Sequence, residues 1–195
     1  MEIETDGKIY QNPLLVFALK SEAEDYFNDW STAFVGVGKI NAVFNLIKTV
    51  QHDRPDCIVN LGTAGSTTFN RGEVVCCTQF IQRDMDVAAL GFQKFQTPFS
   101  EESIVLDYGL KINGLKEGIC GSGDQFETEH KNPEYNVIDM EAYALAWVAK
   151  QEKIPFLCLK YISDGADGNA VEDWQAEVKN AAQKLHSVLH SISND

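Results

Sequence analysis

Short apolar runs alternate with longer stretches of helical spacing along this chain. Leu14–Leu19, Ala33–Val35, Asp56–Leu61, Gly72–Ile81, Gly118–Gly121 and Phe156–Leu159 are continuously apolar or nearly so. Runs of this length, ended by Gly, Ser or Asp, read as strands buried on both faces. Between them, Ile40–Val50 has helical periodicity. From about Asp139 to Gln151, Ala142, Leu145, Ala146 and Ala149 recur at i, i+3, i+4, i+7, and Met140, Ala144, Trp147 and Val148 fill the adjacent face. Such a helix is apolar almost all round and is expected to pack on two sides. A last helix spans Val171–Ile192, with Val171, Trp174, Val178, Ala181, Ala182, Leu185, Val188 and Leu189 as its apolar stripe. Ser21 is a candidate N-cap for a short helix after the first strand. The alternation predicts an α/β fold. Residues 1–12 read as a loose leader and 13–195 as a single domain.

Totals narrow the function classes. At 195 residues the chain is long enough for one sizeable core. A net charge of −13 repels a phosphate backbone, so nucleic acid is not an expected partner. No basic helix suits a membrane surface, and no apolar run approaches a spanning length. The N-terminus, MEIETDGKIYQ, is acidic and has no targeting pattern. Five cysteines are an odd number, and Cys57, Cys76, Cys77 and Cys158 fall in expected strands. That usage fits a reduced, cytoplasmic protein. His186 and His190 stand at i, i+4, but no third ligand accompanies them, so no metal site is read.

Candidate chemistry gathers where strands end, because open α/β sheets bind ligands at their carboxyl edges. Asp164 ends the Phe156 strand. Glu141 opens the helix after Asp139. By position alone, Asp139 reads equally as a cap and Asp164 as a turn residue. Gly36-Val37-Gly38-Lys39 is a tight strand-to-helix turn that lacks the rest of a phosphate loop. Gly62-Thr63-Ala64-Gly65-Ser66 is small enough for a ligand to approach its backbone. The segment Asp84–Phe99 is too apolar for plain exposure; core packing and a subunit interface both account for it.

Ala18–Glu22, Gly36–Lys39, Asn60–Gly65, Ser122-Gly123-Asp124-Gln125-Phe126, Asp139-Met140-Glu141-Ala142 and Ile162-Ser163-Asp164 occur in an order that resembles the purine nucleoside phosphorylase/uridine phosphorylase superfamily. The closest match is its hydrolytic branch, the 5′-methylthioadenosine/S-adenosylhomocysteine nucleosidases, and it covers roughly Leu14 to His190. The resemblance implies a three-layer α/β/α sandwich with a mixed, partly barrel-like central sheet. It implies hydrolysis of the N-glycosidic bond of a purine nucleoside, releasing adenine, without metal or organic cofactor. By resemblance Asp164 protonates the leaving purine, and Glu22 activates water, with Glu24 a rival for that role. Glu141 holds the ribose hydroxyls and Met140 packs under the sugar. Phe126 stacks on the base, the main chain at Glu127 and Thr128 reads its edge, and Thr63 and Ser163 orient water or the acid. Val37 lines the sugar and tail pocket. Val87, Leu90 and Pro98 would close a neighbouring subunit's pocket, so a homodimer is implied.

The chain also departs from that pattern. Asn60 stands where many phosphorylases carry a phosphate-binding arginine, and Ser21-Glu22 replaces a second basic position. A carboxylate there repels phosphate and suits water as nucleophile. Glu127 replaces a usual apolar residue, Lys160 replaces a usual arginine, and Tyr26–Thr32 stands where the family has a longer hairpin. Phosphorolysis, and nucleoside binding without turnover, are the alternative readings.

Overall fold

The structure, a computed structural model, describes residues 1–5, 7–130 and 132–194. In chain order the first elements are β1 (Glu2–Thr5), β2 (Lys8–Tyr10), β3 (Pro13–Phe17), β4 (Thr32–Phe34) and α1 (Lys39–His52). Then come β5 (Cys57–Gly65), β6 (Val74–Gln82), β7 (Leu106–Asp107), β8 (Lys116–Ser122) and β9 (Val137–Asp139). The chain closes with α2 (Ala142–Gln151), β10 (Phe156–Asp164), α3 (Ala170–Ser191) and β11 (Ser193–Asn194).

Five strands form a closed ring. β10 lies parallel to β5 and antiparallel to β6, and β6 continues through parallel β8 to parallel β9. β9 returns to β5 through the Gly65–Ile138 pair. Outside the ring, β3 lies parallel to β5, and β4 extends the sheet from β3. The central sheet is therefore mixed and partly barrel-like, as the resemblance implied.

Both faces of the sheet are buried, and the period-2 geometry of strands divides the apolar residues between them. Leu14, Val16, Ile58, Phe156 and Cys158 face α1 and α2, among Leu46, Val50, Leu145 and Ala149. Their sequence neighbours Leu15, Phe17, Val59, Leu61, Leu157 and Leu159 face α3, among Ala181, Leu185 and Leu189. This alternation of two covered faces makes continuous apolar runs, and with them the three layers. No helix among the described residues is long and apolar enough to cross a membrane.

Two local expectations are corrected. The first residues are not a loose leader. β1 and β2 form a hairpin, β11 pairs with β1, and Ile3 and Tyr10 are buried beneath the end of α3. Charged residues around them mask these two anchors in the sequence. The helix expected from Asp139 begins at Ala142, because Val137-Ile138-Asp139 is drawn into the ring as its shortest strand. A three-residue strand is too short to show a period of its own. His186 and His190 belong to an aromatic cluster with Phe27 and Trp30.

Candidate active site

One cavity opens at the carboxyl ends of β3, β5, β8 and β10. Glu22, Val37, Thr63, Phe126, Glu127, Met140, Glu141, Ser163 and Asp164 all line it. These are nine of the residues singled out from sequence, drawn from segments up to 142 positions apart. β3, β5 and β10 are parallel and end side by side, and the antiparallel Gly65–Ile138 pair brings the ends of β9 and its neighbour β8 to the same place.

Glu22 sits on a single 3-10 turn, Lys20–Glu22, that follows β3. It is buried, whereas Glu24 is exposed and lies outside the cavity. One Glu22 oxygen, Oε1, accepts the Thr63 backbone N–H and the Thr63 hydroxyl, each at 3.0 Å. The other, Oε2, accepts the Leu19 N–H at 3.0 Å. Ser21 lies inside this turn and does not cap it.

Asp164 ends β10, and its carboxylate is held on both sides. Oδ1 accepts the Ala166 N–H and Oδ2 accepts the Ser163 hydroxyl, both at 2.9 Å. Burial pushes its pKa above the ordinary range, Asp173 and Asp167 add to the effect, and the two hydrogen bonds only partly oppose it. The carboxyl group is thereby biased toward the acid form that can donate a proton.

Glycines in the β5 motif have a definite use. A Cβ on Gly65 would lie 2.6 Å from Asp164 Oδ1, and one on Gly62 would lie 3.1 Å from Glu22 Oε1. Sequence suggested that these small residues let a ligand near the backbone. The structure shows that they make room for the protein's own carboxylates.

Glu141 is buried at the entrance to α2, and its Oε1 accepts the Gly38 N–H at 2.8 Å. The turn Gly36–Lys39 therefore donates a backbone amide to a carboxylate. Burial raises the Glu141 pKa to about 8, helped by the charges of Asp139 and Glu22 and opposed by Lys160 and the Gly38 hydrogen bond.

Beneath Glu141 lies a buried ion pair between Lys160 Nζ and Asp139 Oδ2, at 2.9 Å. Burial is the largest single influence and works against both charges, but it is outweighed in sum: Lys160 with the Ser122 and Ala142 hydrogen bonds holds Asp139 below the usual carboxylate range, and Asp139 with the other acidic groups around it holds Lys160 well above the usual amine range. Asp139 also accepts the Ala142 N–H at 2.9 Å, and Ser122 Oγ accepts the Tyr143 N–H at 2.8 Å. The start of α2 is thus capped from β8 and β9 rather than by its own N-cap residue.

Sequence reasoning missed two wall residues, Trp174 and Arg83. Trp174, assigned only to the apolar stripe of α3, lines the cavity and donates its indole N–H to Thr63 Oγ1 at 2.9 Å. Arg83 lines it too. The strand-end position of Arg83 was a usable sign; nothing in the pattern marked Trp174. Val87, Leu90 and Pro98 do not line this cavity within the chain: Leu90 is exposed and the other two are half-buried.

A family model described as the phosphorylase superfamily matches residues 30–194. The 5′-methylthioadenosine/S-adenosylhomocysteine nucleosidase of Haemophilus influenzae (strain PittEE) is 30% identical over 174 residues, covering 79% of this chain and 76% of the relative. Among solved structures, futalosine hydrolase of Helicobacter pylori strain 26695 superposes with a TM-score of 0.84 at 19% identity, over 93% of this chain and 97% of the other. The Neisseria meningitidis 5′-methylthioadenosine/S-adenosylhomocysteine nucleosidase in complex with methylthio-immucillin-A gives 0.80 at 22% identity, over 93% and 98%.

Proposed function

Because the chain belongs to the phosphorylase superfamily, we propose that it hydrolyses the N-glycosidic bond of a purine nucleoside, 5′-methylthioadenosine or S-adenosylhomocysteine, and releases adenine. The observation that carries this reading is the convergence of Glu22, Glu141 and Asp164 on one cavity that also exposes the ring of Phe126. The curated nucleosidases among its relatives support it.

Cleaving this bond requires charge on the leaving purine to be neutralised while positive charge grows on the sugar. Asp164, biased toward its acid form, donates a proton to the five-membered ring of the purine. Glu22, fixed by three donors, takes a proton from water. Glu141 accepts from the ribose hydroxyls, and in its ionised form it favours the cationic sugar. Met140 packs under the sugar, Phe126 stacks on the base, and Val37 lines the tail side. Thr63 orients Glu22, and Ser163 orients Asp164. Each proton transfer of this kind is worth about 10²–10⁴-fold in rate.

Water is favoured over phosphate as nucleophile by the commitments of the cations. Lys160 is paired with Asp139, and the Arg83 guanidinium is engaged by Glu127 and by main-chain carbonyls. A phosphate dianion beside Glu22 would meet a carboxylate, while Lys160 and Arg83 are already paired with Asp139 and Glu127.

The enzyme works as a homodimer in this proposal. Leu90 and Phe99 stand exposed on the 84–99 segment, and an apolar groove between α1 and α2 bares Ile40, Phe44 and Trp147. Val87, Leu90 and Pro98 would then reach the partner's cavity. Five free, buried thiols support a cytoplasmic location.

The test is base release in phosphate-free buffer from methylthioadenosine, adenosylhomocysteine, adenosine and inosine, followed by liquid chromatography. Free adenine from the thio-substrates is expected. Release only after phosphate is added would replace hydrolysis by phosphorolysis, and no release under either condition would overturn the enzymatic reading.

A further inference from the structure

The Arg83 side chain leaves the end of β6, and only 6% of it is exposed. Nη1 lies 3.1 Å from Glu127 Oε2. Nη2 donates to the Gly123 carbonyl at 3.4 Å and to the Gln125 carbonyl. One guanidinium thus takes hold of residues 123, 125 and 127, on both sides of Phe126.

Two further features show that this clasp is built into the fold. A Cβ on Gly123 would stand 3.0 Å from Arg83 Cζ, so the guanidinium lies closer to the backbone here than it could beside a larger residue without shifting. Glu127 is itself anchored from behind. His130 Nδ1 lies 3.0 Å from Oε1, and the Tyr135 hydroxyl donates to Oε2 at 3.3 Å. The next residue, Asp84, accepts the Asp124 N–H at 2.9 Å and pairs with Lys39 at 2.5 Å. Consecutive residues leaving β6 therefore fasten consecutive parts of the 123–127 segment.

Phe126 itself is 47% exposed, so about half of its surface has no neighbour to fix its place. Its position depends on the peptide groups on either side. An arginine fork meeting a carboxylate and planar carbonyls is the side chain best suited to fix such a segment, because its donors have a rigid geometry. A lysine in that place would supply a point charge without the fork.

We propose that Arg83, with Glu127 as its counter-ion, is a positioning residue for base recognition. It holds the segment that carries Phe126 and the main-chain edge at Glu127 and Thr128 in the geometry that receives the purine. The apparent departure at Glu127 is half of this device. The inference rests on the nucleoside reading of the cavity, and it assigns Arg83 to binding of the base rather than to bond cleavage.

The experiment compares wild type, Arg83→Met, Arg83→Lys and Glu127→Gln by two readouts. The first is amide hydrogen exchange of residues 123–127 in the free protein, which needs no substrate. The second is the kinetics of adenine release from methylthioadenosine. For Arg83→Met the expected results are exchange in that segment faster by about tenfold or more, KM raised about tenfold, and kcat within about threefold. Arg83→Lys should recover only part of the KM, and Glu127→Gln should shift both readouts the same way by less. Unchanged exchange and unchanged KM in Arg83→Met would overturn the proposal, as would a fall in kcat with KM unaltered. If Arg83→Met does not fold, Glu127→Gln gives the same decision. If wild type releases no base, the nucleoside reading fails, and with it the base-recognition role; exchange then still decides whether Arg83 fastens the segment.

Discussion

Trp174 Nε1 donates to Thr63 Oγ1 at 2.9 Å, and the same Thr63 hydroxyl reaches Glu22 Oε1 at 3.0 Å. The indole occupies a lone pair of the hydroxyl, which leaves the hydroxyl proton to be donated to the carboxylate. Helix α3 thereby touches the cavity through one side chain. Trp174→Phe keeps the apolar wall and removes the donor. It should lower stability to urea by about 1 kcal/mol and leave kcat/KM within about threefold. Thr63→Val removes the donor to Glu22 and should cost at least about tenfold in kcat.

Asp164→Asn removes the transferable proton and keeps the shape of the side chain. Turnover should fall by about 10²–10⁴-fold, while a transition-state-like adenosine analogue still binds. Glu22→Gln should fall within the same range. Glu24→Gln should match wild type, since Glu24 points to solvent outside the cavity. Rates of base release compare all three.

Gly65→Ala tests the close approach on β5. Its Cβ would stand 2.6 Å from Asp164 Oδ1, inside any normal contact. The carboxylate must move, so kcat should drop by at least about tenfold while circular dichroism shows the same secondary structure.

Lys160→Met leaves Asp139 buried without its cation. Stripping one member from a buried pair costs about 3–5 kcal/mol, and urea unfolding should show a loss of that order. Lys160→Arg should retain more of the stability than Lys160→Met, because it preserves the charge.

Glu141 sets a pH dependence of stability. Folded, it keeps its proton up to about pH 8, whereas the ordinary value is 4.5. Between those limits the folded state binds more protons than the unfolded one, so stability falls as pH rises. Glu141→Gln should flatten this part of the curve. Urea midpoints at pH 5, 6, 7 and 8 would test it, and an equal slope in the variant would refute the assignment to Glu141.

Much of this molecule is written in short-range pattern. The runs Leu14–Leu19 and Phe156–Leu159 are continuously apolar because helices cover both faces of their sheet, and the regular stripe of α3 marks its buried side. The cavity residues Glu22, Phe126, Glu141 and Asp164 could be named because the short motifs that carry them resemble those of a known family; by position alone Asp164 also reads as a turn residue and Glu22 as an acid in the first turn of a helix. Ile3, Tyr10 and β9 were not legible. Isolated apolar residues among charges, and a three-residue strand, carry too little periodicity to reveal their long-range partners.

The sequence by itself determined the alternation of strands and helices, the acidic character, and the residue types able to move protons, since these depend on each residue and its near neighbours. Tertiary structure alone decided that Glu22 rather than Glu24 enters the cavity, that Trp174 reaches Thr63 across 111 positions, and that Arg83 clasps the segment around Phe126. It also decided that Lys160 is consumed by Asp139. Those outcomes follow from ring closure of β5, β6, β8, β9 and β10, which fixes distances between groups far apart in the chain. Burial then sets how each charged group behaves there.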